Sequence, residues 1–348
     1  MTAGPLEGIR VFDMTIFMVG PWASMQLGAL GADVVHIEQP DIDWATLGAG
    51  VPPTINGTSI GYIAWNMNKR AFSLDMKLEE YRRRAYELLK TCDVFLVNMR
   101  PGVAERLGVG YEDVQKINPR IVYCTVTGWG TTGPMADLPG ADGQVQYVTG
   151  FGSPTGAEGS PPELYRHLTQ MDGTTGNYAA QAITMALVAR ERTGKGQRID
   201  LSMLRAGTAL QSARIAQYFA SGKPAERLGA SAAATAPDSA FLCEDKLWLA
   251  VSATSRGEWA TLCEVLGKPE LKDDPRFATN SDRVDHRKEL EAIVAEIIGS
   301  RPLDHWLFYM RRAGLPCGYP MRWDVLRNHR QVLENSYLVD VETAGWGG

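Results

Sequence analysis

An apolar run, a helical stretch and a second apolar run open this chain, and the same alternation returns as far as residue 205. Ile9 to Met14 (IRVFDM) reads as a short buried strand, Trp22 to Leu30 as a helix stopped by Gly31, and Ala32 to Glu38 (ADVVHIE) as the next strand. Strand, helix, strand in that order points to a parallel sheet, because the second strand can lie beside the first only after a crossover. The pattern recurs as a strand over Phe72 to Asp75, a charged amphipathic helix over Leu78 to Thr91 and a strand over Asp93 to Asn98 (DVFLVN). Helices around Val103 to Leu107 and Glu112 to Ile117 precede a strand over Arg120 to Thr127. A stretch rich in Gly, Pro and Thr follows, 128–162, and a loop that long inside a compact domain is usually functional.

Tyr165 to Met203 then carries the longest helical pattern. Ala180, Ile183, Met185, Ala186, Leu187 and Val188 give it a broad apolar surface to bury, while Gly194 and Gly196 stop it and Arg190, Arg192 and Lys195 load its last turn with positive charge. Asp172 falls at or just before the start of this helix, where a carboxylate can accept bonds from unpaired backbone N–H groups. From the residues alone, Asp172 is an N-cap. A strand over Arg198 to Met203 and a helix over Gly207 to Ala220 complete a first α/β domain.

Composition shifts after Ser221. Gly229 to Thr235 (GASAAAT) is small and flexible, Ser239 to Ala253 reads as a hairpin turning at Glu244-Asp245, and helices follow near Arg256 to Leu266, Asp285 to Ile298 and Leu303 to Ala313. This is a smaller α+β unit, placed at 222–330. A chain of 348 residues is long enough for two such domains.

The net charge of −5 argues against nucleic acid as the main partner. Five scattered cysteines, Cys92, Cys124, Cys243, Cys263 and Cys317, form no CxxC pair, which suggests neither a disulfide framework nor a zinc site. Cys92 and Cys124 sit in apolar runs as core fillers. No charged-then-apolar leader and no run of eighteen apolar residues occurs, so no membrane partner is expected and a reducing cytoplasm fits. The histidines lack metal-ligand spacing, and no GxSxG elbow is present. Gly128 to Gly133 matches GxGxxG after a strand, but Pro134 and then Asp137-Leu138-Pro139-Gly140 deny the helix a dinucleotide site needs. Two stretches, Asn66 to Arg70 (NMNKR) and Asn98 to Gly102 (NMRPG), put basic and amide side chains at strand edges, where phosphates could be held.

In order along the chain, LEGIRVFDMT…GP (6–21), LGADVVHIE (30–38), NMNKR (66–70), DVFLVNMRPGVAERLGVGYE (93–112), NPRIVYCTVTGWGTTGP (118–134), the Asp172 segment through ARERTGKGQRIDLSML (189–204) and RAGLPCG (312–318) make a collinear set. Together they resemble the class III CoA-transferase family, which includes formyl-CoA and carnitine CoA-transferases and the related α-methylacyl-CoA racemases. The resemblance implies an α/β fold: a Rossmann-like large domain, 1–221 with 331–348 returning to it, a small domain inserted late, and two subunits interlocked as linked rings. It makes Asp172 the catalytic aspartate. It also implies CoA contacts at Met18, Lys69, Arg70, Asn98 and Arg106, a CoA thioester as substrate with no permanently bound cofactor, and a free carboxylic acid as the second substrate.

An aspartate of ordinary pKa, about 3.9, is ionised at neutral pH and can attack a thioester carbonyl, releasing the CoA thiolate. Backbone N–H donors would have to stabilise each tetrahedral oxyanion. Met18 stands where formyl-CoA transferase has a glutamine, which implies a less polar acyl pocket, unsuited to formate or oxalate. Racemases of the family carry a histidine before an aspartate ahead of the catalytic segment; the matching pair here is Ala141-Asp142, which lacks the imidazole for two-base proton exchange. The substitution of alanine for most glycines in GASAAAT speaks against a glycine-rich lid. Members of the family run further at the carboxyl end than Glu342 to Gly348 does here, which leaves a heteromeric partner open beside the expected homodimer.

Overall fold

The computed structural model describes residues 4–43, 53–165 and 167–341. Two compact units emerge. One takes in the residues up to Ser153 together with Glu163–Lys223, the other Pro154–Pro162 and the residues from Pro224 on. Residues 331–341 therefore group with the second unit and not with the first, and 342–348 lie outside the described residues.

The first unit runs β1 (Arg10–Met14), α1 (Val19–Ala29), β2 (Asp33–Glu38), a small hairpin of β3 (Thr54–Ile55) and β4 (Thr58–Ser59), α2 (Ile60–Trp65), β5 (Lys69–Ser73) and α3 (Glu79–Leu89). It continues with β6 (Val94–Val97), α4 (Val103–Arg106), α5 (Tyr111–Ile117), β7 (Val122–Thr127), α6 (Asp142–Val148), α7 (Gln170–Thr193), β8 (Gln197–Ser202), α8 (Met203–Leu210) and α9 (Ser212–Ser221). Six strands form one parallel sheet in the order β5-β2-β1-β6-β7-β8. The connections reverse direction between β1 and β6, and sheets of this kind take ligands at the carboxyl ends of their strands beside such a switch.

Helices cover both faces, so β6 is apolar at every position and wholly buried. On one face Val11, Val34, Val94, Val122 and Cys124 pack against Ala23 and Leu27 of α1 and Ala179, Ile183 and Leu187 of α7. On the other, Phe12, Phe95 and Tyr123 meet Ala85 and Leu89 of α3 and Val114 of α5. Burial pushes the Cys92 thiol up to about 12, which suits its place in the core.

Three expectations need correction. Lys69 and Arg70 lie within β5, which begins earlier than the Phe72 start read from the sequence. The Gly/Pro-rich stretch is not all loop: α6 folds inside it. Met185 and Val188 of α7 are exposed, because the contact surface is the narrower stripe of Met171, Thr175, Ala179, Ile183, Ala186 and Leu187.

In the second unit, β9 (Asp238–Leu242), β10 (Trp248–Ser252) and β11 (Cys317–Gly318) form an antiparallel sheet. Its core joins Leu249 and Val251 to Trp259 of α10 (Arg256–Val265), Leu290 and Val294 of α12 (Arg287–Ile298), and Trp306 and Met310 of α13 (Leu303–Arg312). α11 (Asn280–Asp285) precedes α12, and α14 (Trp323–Arg327) and α15 (Arg330–Glu334) follow α13. The GASAAAT segment is held here. Arg287 donates to the carbonyls of Ala232, Ala233 and Thr235, and the buried Arg283 to that of Ala236. Among the described residues no helix is long and apolar enough to cross a membrane.

Candidate active site

α7 ends on β8, so its first turn stands at the carboxyl edge of the sheet, where α1 begins. The two helices approach closely because Gly176 has no side chain. A Cβ there would lie 2.8 Å from the Val19 carbonyl oxygen and 2.8 Å from the Trp22 ring. Trp22 also donates to Asn177 at 2.9 Å.

Asp172 is the third residue of α7, and Thr169, not Asp172, is the N-cap. The carboxylate that satisfies this helix end belongs to Asp142 of α6, whose Oδ2 accepts the N–H groups of Met171 at 2.7 Å and Asp172 at 3.1 Å. These first-turn N–H groups are thereby taken and cannot serve as oxyanion donors. The Asp172 carboxylate makes no hydrogen bond among the described residues. Burial, and then the charge of Asp142, push its pKa up to about 7. It is thus only partly ionised at neutral pH, contrary to the ordinary acidity expected from sequence.

The loop from β1 to α1 is drawn taut beside this turn. Asp13 Oδ1 accepts the Thr15 N–H at 3.1 Å and its hydroxyl at 2.5 Å. Asn98, just past β6, accepts from the Ile16 N–H at 2.9 Å and donates to the Ile16 carbonyl at 2.7 Å. Just after these anchors Phe17 adopts φ 65°, an uncommon conformation for a bulky residue, with its ring exposed. Met18 follows, its sulfur against the Thr169 hydroxyl and its methyl 4.0 Å from where a Cβ on Gly173 would stand. The structure therefore brings Met18, the Asn98-pinned loop and Asp172 together.

Lys69, Arg70 and Arg106 are placed differently. Lys69 is buried, donating to Asp13 at 3.1 Å and to Asn66 at 2.8 Å. Asp13 is fully buried too and also accepts from Ser24 at 2.6 Å, with His36 Nδ1 at 3.1 Å. Burial would raise the Asp13 pKa, but Lys69, His36 and Ser24 outweigh it and hold the carboxyl far below the usual range. Arg70 is exposed and binds Asp33 at 2.7 Å, at the opposite, amino end of β2. Arg106 ends α4 and reaches back over Gly102 at the carboxyl end of β6. On the other sheet face, Met99, Arg100, Thr131 and Arg198 help line a cavity of about 130 Å3 that does not include Asp172.

Reading the sequence missed Asp142 as the cap, Gln146 beside it, and Asp13 as a hub. The signals were present: an i, i+4 acid–amide pair in Asp142 and Gln146, and an acid inside the apolar run IRVFDM. Among the described residues no cluster of His, Cys, Asp and Glu is arranged to hold a metal ion.

The sequence model of CoA-transferase family III matches residues 6–348. Succinyl-CoA:glutarate CoA-transferase of Mus musculus is 35% identical over 97% of this chain and 77% of its own length. Acetyl-CoA:oxalate CoA-transferase of Acetobacter aceti is 35% identical over 90% of this chain and 80% of its own. A crystal structure of a CaiB/BaiF family protein from Brucella suis, 32% identical, superposes with a TM-score of 0.85, covering 96% of this chain and 88% of that one.

Proposed function

Because this chain belongs to CoA-transferase family III and is a CoA-transferase, we propose that it moves CoA from an acyl-CoA to a free carboxylic acid with Asp172 as nucleophile. The observation that carries this reading is the Asp172 carboxylate itself, without a hydrogen bond among the described residues and partly desolvated at the carboxyl edge of the sheet. Ionised Asp172 attacks the thioester carbonyl, the C–S bond breaks, and the CoA thiolate leaves a mixed anhydride. The thiolate then attacks the aspartyl carbonyl, giving an aspartyl-CoA thioester and releasing the first acid. The acceptor carboxylate repeats both steps in the opposite sense and restores Asp172. Met18 and Phe17 form an apolar wall for the acyl chain, and Asn98 holds the loop that carries them. Lys69 and Arg106 support the CoA side of the site, Lys69 through the buried Asp13 network and Arg106 at the end of β6. Arg70 would have to leave Asp33 to reach a phosphate.

Succinyl-CoA as donor and a dicarboxylic acid as acceptor are the first pair to offer, on the name of the Mus musculus relative. Racemisation has no general base at Ala141, the residue before α6. A homodimer is the proposed assembly. The Tyr218 and Phe219 side chains on α9, a helix with no buried residue, are apolar surface for a second copy to cover. Light scattering of the purified chain tests that.

Mass spectrometry of acyl exchange tests the reaction, using succinyl-CoA and acetyl-CoA with a panel of free acids. Quenched enzyme should carry added mass on the peptide holding Asp172, and Asp172→Ala should lose transfer while still binding CoA. Transfer at the wild-type rate in Asp172→Ala would remove the assignment.

A further inference from the structure

Two carboxylates meet at the first turn of α7, and only one is the nucleophile of the proposed reaction. Asp142 Oδ2 takes the N–H groups of residues 171 and 172, and Oδ1 accepts from Gln146, buried one turn further along α6. Gln146 is itself fixed, accepting the Tyr165 N–H at 3.0 Å and donating to the Tyr165 carbonyl at 3.3 Å. A helix start offers few free donors and one positive dipole end. Asp142 occupies two of them, the N–H groups of Met171 and Asp172; the Asp172 carboxylate, in the same first turn, accepts none of them.

Among the described residues no ion pair or hydrogen bond joins a cation to Asp142 or Asp172, and His167, just ahead of α7, is exposed. α1 carries no ionisable side chain, and α6 carries Asp142 and Tyr147. Arg205 of α8 donates to the Asp200 carbonyl at 3.4 Å, and Arg198 of β8 pairs with the Asp200 carboxylate at 2.9 Å. β7 contributes Tyr123 and Cys124, both buried in the sheet. On α7 itself Arg190 is nearly five turns away and bound to Asp93 at 2.9 Å.

We infer that Asp142, braced by Gln146, is a positioning residue for Asp172: it fixes the turn that presents the nucleophile and holds a like charge against it. The inference rests on Asp172 being the nucleophile. A more basic carboxylate attacks a thioester faster but is ionised over a narrower pH range, so Asp142 trades activity in acid for activity in base. The raised pKa of Asp172 agrees with this.

The test uses the full chain and Asp142→Asn, which keeps an oxygen for the α7 N–H groups and removes the charge. Asp142→Ser, a second neutral cap, repeats it should the amide disturb the helix. Two profiles are measured from pH 5 to 9. One is kcat/KM for transfer from succinyl-CoA to glutarate, or to the best acceptor of the panel. The other, free of substrate, is the pH midpoint at which Asp172→Asn alters thermal stability in each background. The expected result is a fall of about one unit in both midpoints, which raises kcat/KM about fivefold at pH 6 and lowers it above pH 8. Simple misplacement of the turn would lower activity by one factor at every pH. Unmoved midpoints in both neutral variants overturn the inference. A stability midpoint that falls while Asp172→Asn keeps full transfer instead overturns the nucleophile assignment and leaves the coupling between the two acids standing.

Discussion

A carboxyl group with no hydrogen bond, beside another carboxylate and partly out of water, weakens the fold that carries it once it ionises. Asp172 is in this position, with a folded pKa of about 7 against about 3.9 for an unfolded chain. A raised folded value means that its contribution to stability is fully present below pH 4 and is lost as the pH climbs through 7. Asp172→Asn should therefore melt close to the wild type at pH 4 and above it at pH 8. The expected gain is about 1–2 kcal/mol, discounted because water still reaches the group. Thermal melts across that range check it, and a variant less stable than wild type at pH 8 would contradict the strained carboxylate. The same acidity governs turnover: the wild-type kcat/KM should rise with one-proton slope and level off above about pH 7. Active sites that hold a group in an unfavourable state commonly give up stability in this way.

At the scale of elements, the site depends on how α1 and α7 meet. The contact at Gly176 leaves no space for a methyl group, since its neighbours are a helix carbonyl and the Trp22 ring. Gly176→Ala should lower stability by about 1–3 kcal/mol, despite alanine being the better helix former, and should cut transfer by parting Met18 from Asp172. Denaturant melts and kcat measured together check this; an unchanged melt would mean that the helices are not so tightly set. Asn98→Ala frees both hydrogen bonds to Ile16 and should lower kcat more than it alters the melt. The alternation of strands and helices was legible because a buried parallel sheet needs continuous apolar runs, as in VFLV, and Gly194 marked the end of α7 plainly, at φ 71°. The start of α7 was not, because its cap comes from Asp142, far away in sequence, and no local pattern records such a partner. α6 was hidden among glycines and prolines, and the burial of Lys69 depends on Asp13 waiting on another strand. Met185 and Val188 misled for the converse reason: apolarity on a helix does not say how wide the covered stripe will be.

At the scale of the whole molecule, each unit has its own core and its own buried charge, so each should have its own stability. The first unit encloses Asp13, which accepts hydrogen bonds from Thr15 and Ser24 and an ion pair from Lys69. The second encloses Arg283, stacked 5.2 Å from the Trp259 ring, and Arg287, whose guanidinium gathers three carbonyls of the alanine-rich segment. Chains of more than one unit need not unfold in a single step. Asp13→Asn leaves Lys69 buried without its countercharge and should lower the first unit's melting by the equivalent of about 3–5 kcal/mol. Arg287→Leu strands the carbonyls of Ala232, Ala233 and Thr235 and should lower only the second unit's melting. Acid separates the two further. A depressed carboxyl pKa gives stability that is present above about pH 4 and fades as the pH falls toward the folded value. As the pH falls below 4 the Asp13 contribution therefore fades from the first unit, while Asp274, Asp282 and Glu258, partly exposed carboxyls held below their usual range by hydrogen bonds from Arg276, Thr279 and Ser255, give the second unit a weaker acid response of its own. Calorimetry of the wild type and both variants should resolve two transitions, with each substitution moving its own and acid moving the first unit's further. Two substitutions that shift one shared transition equally would instead make the chain a single cooperative body.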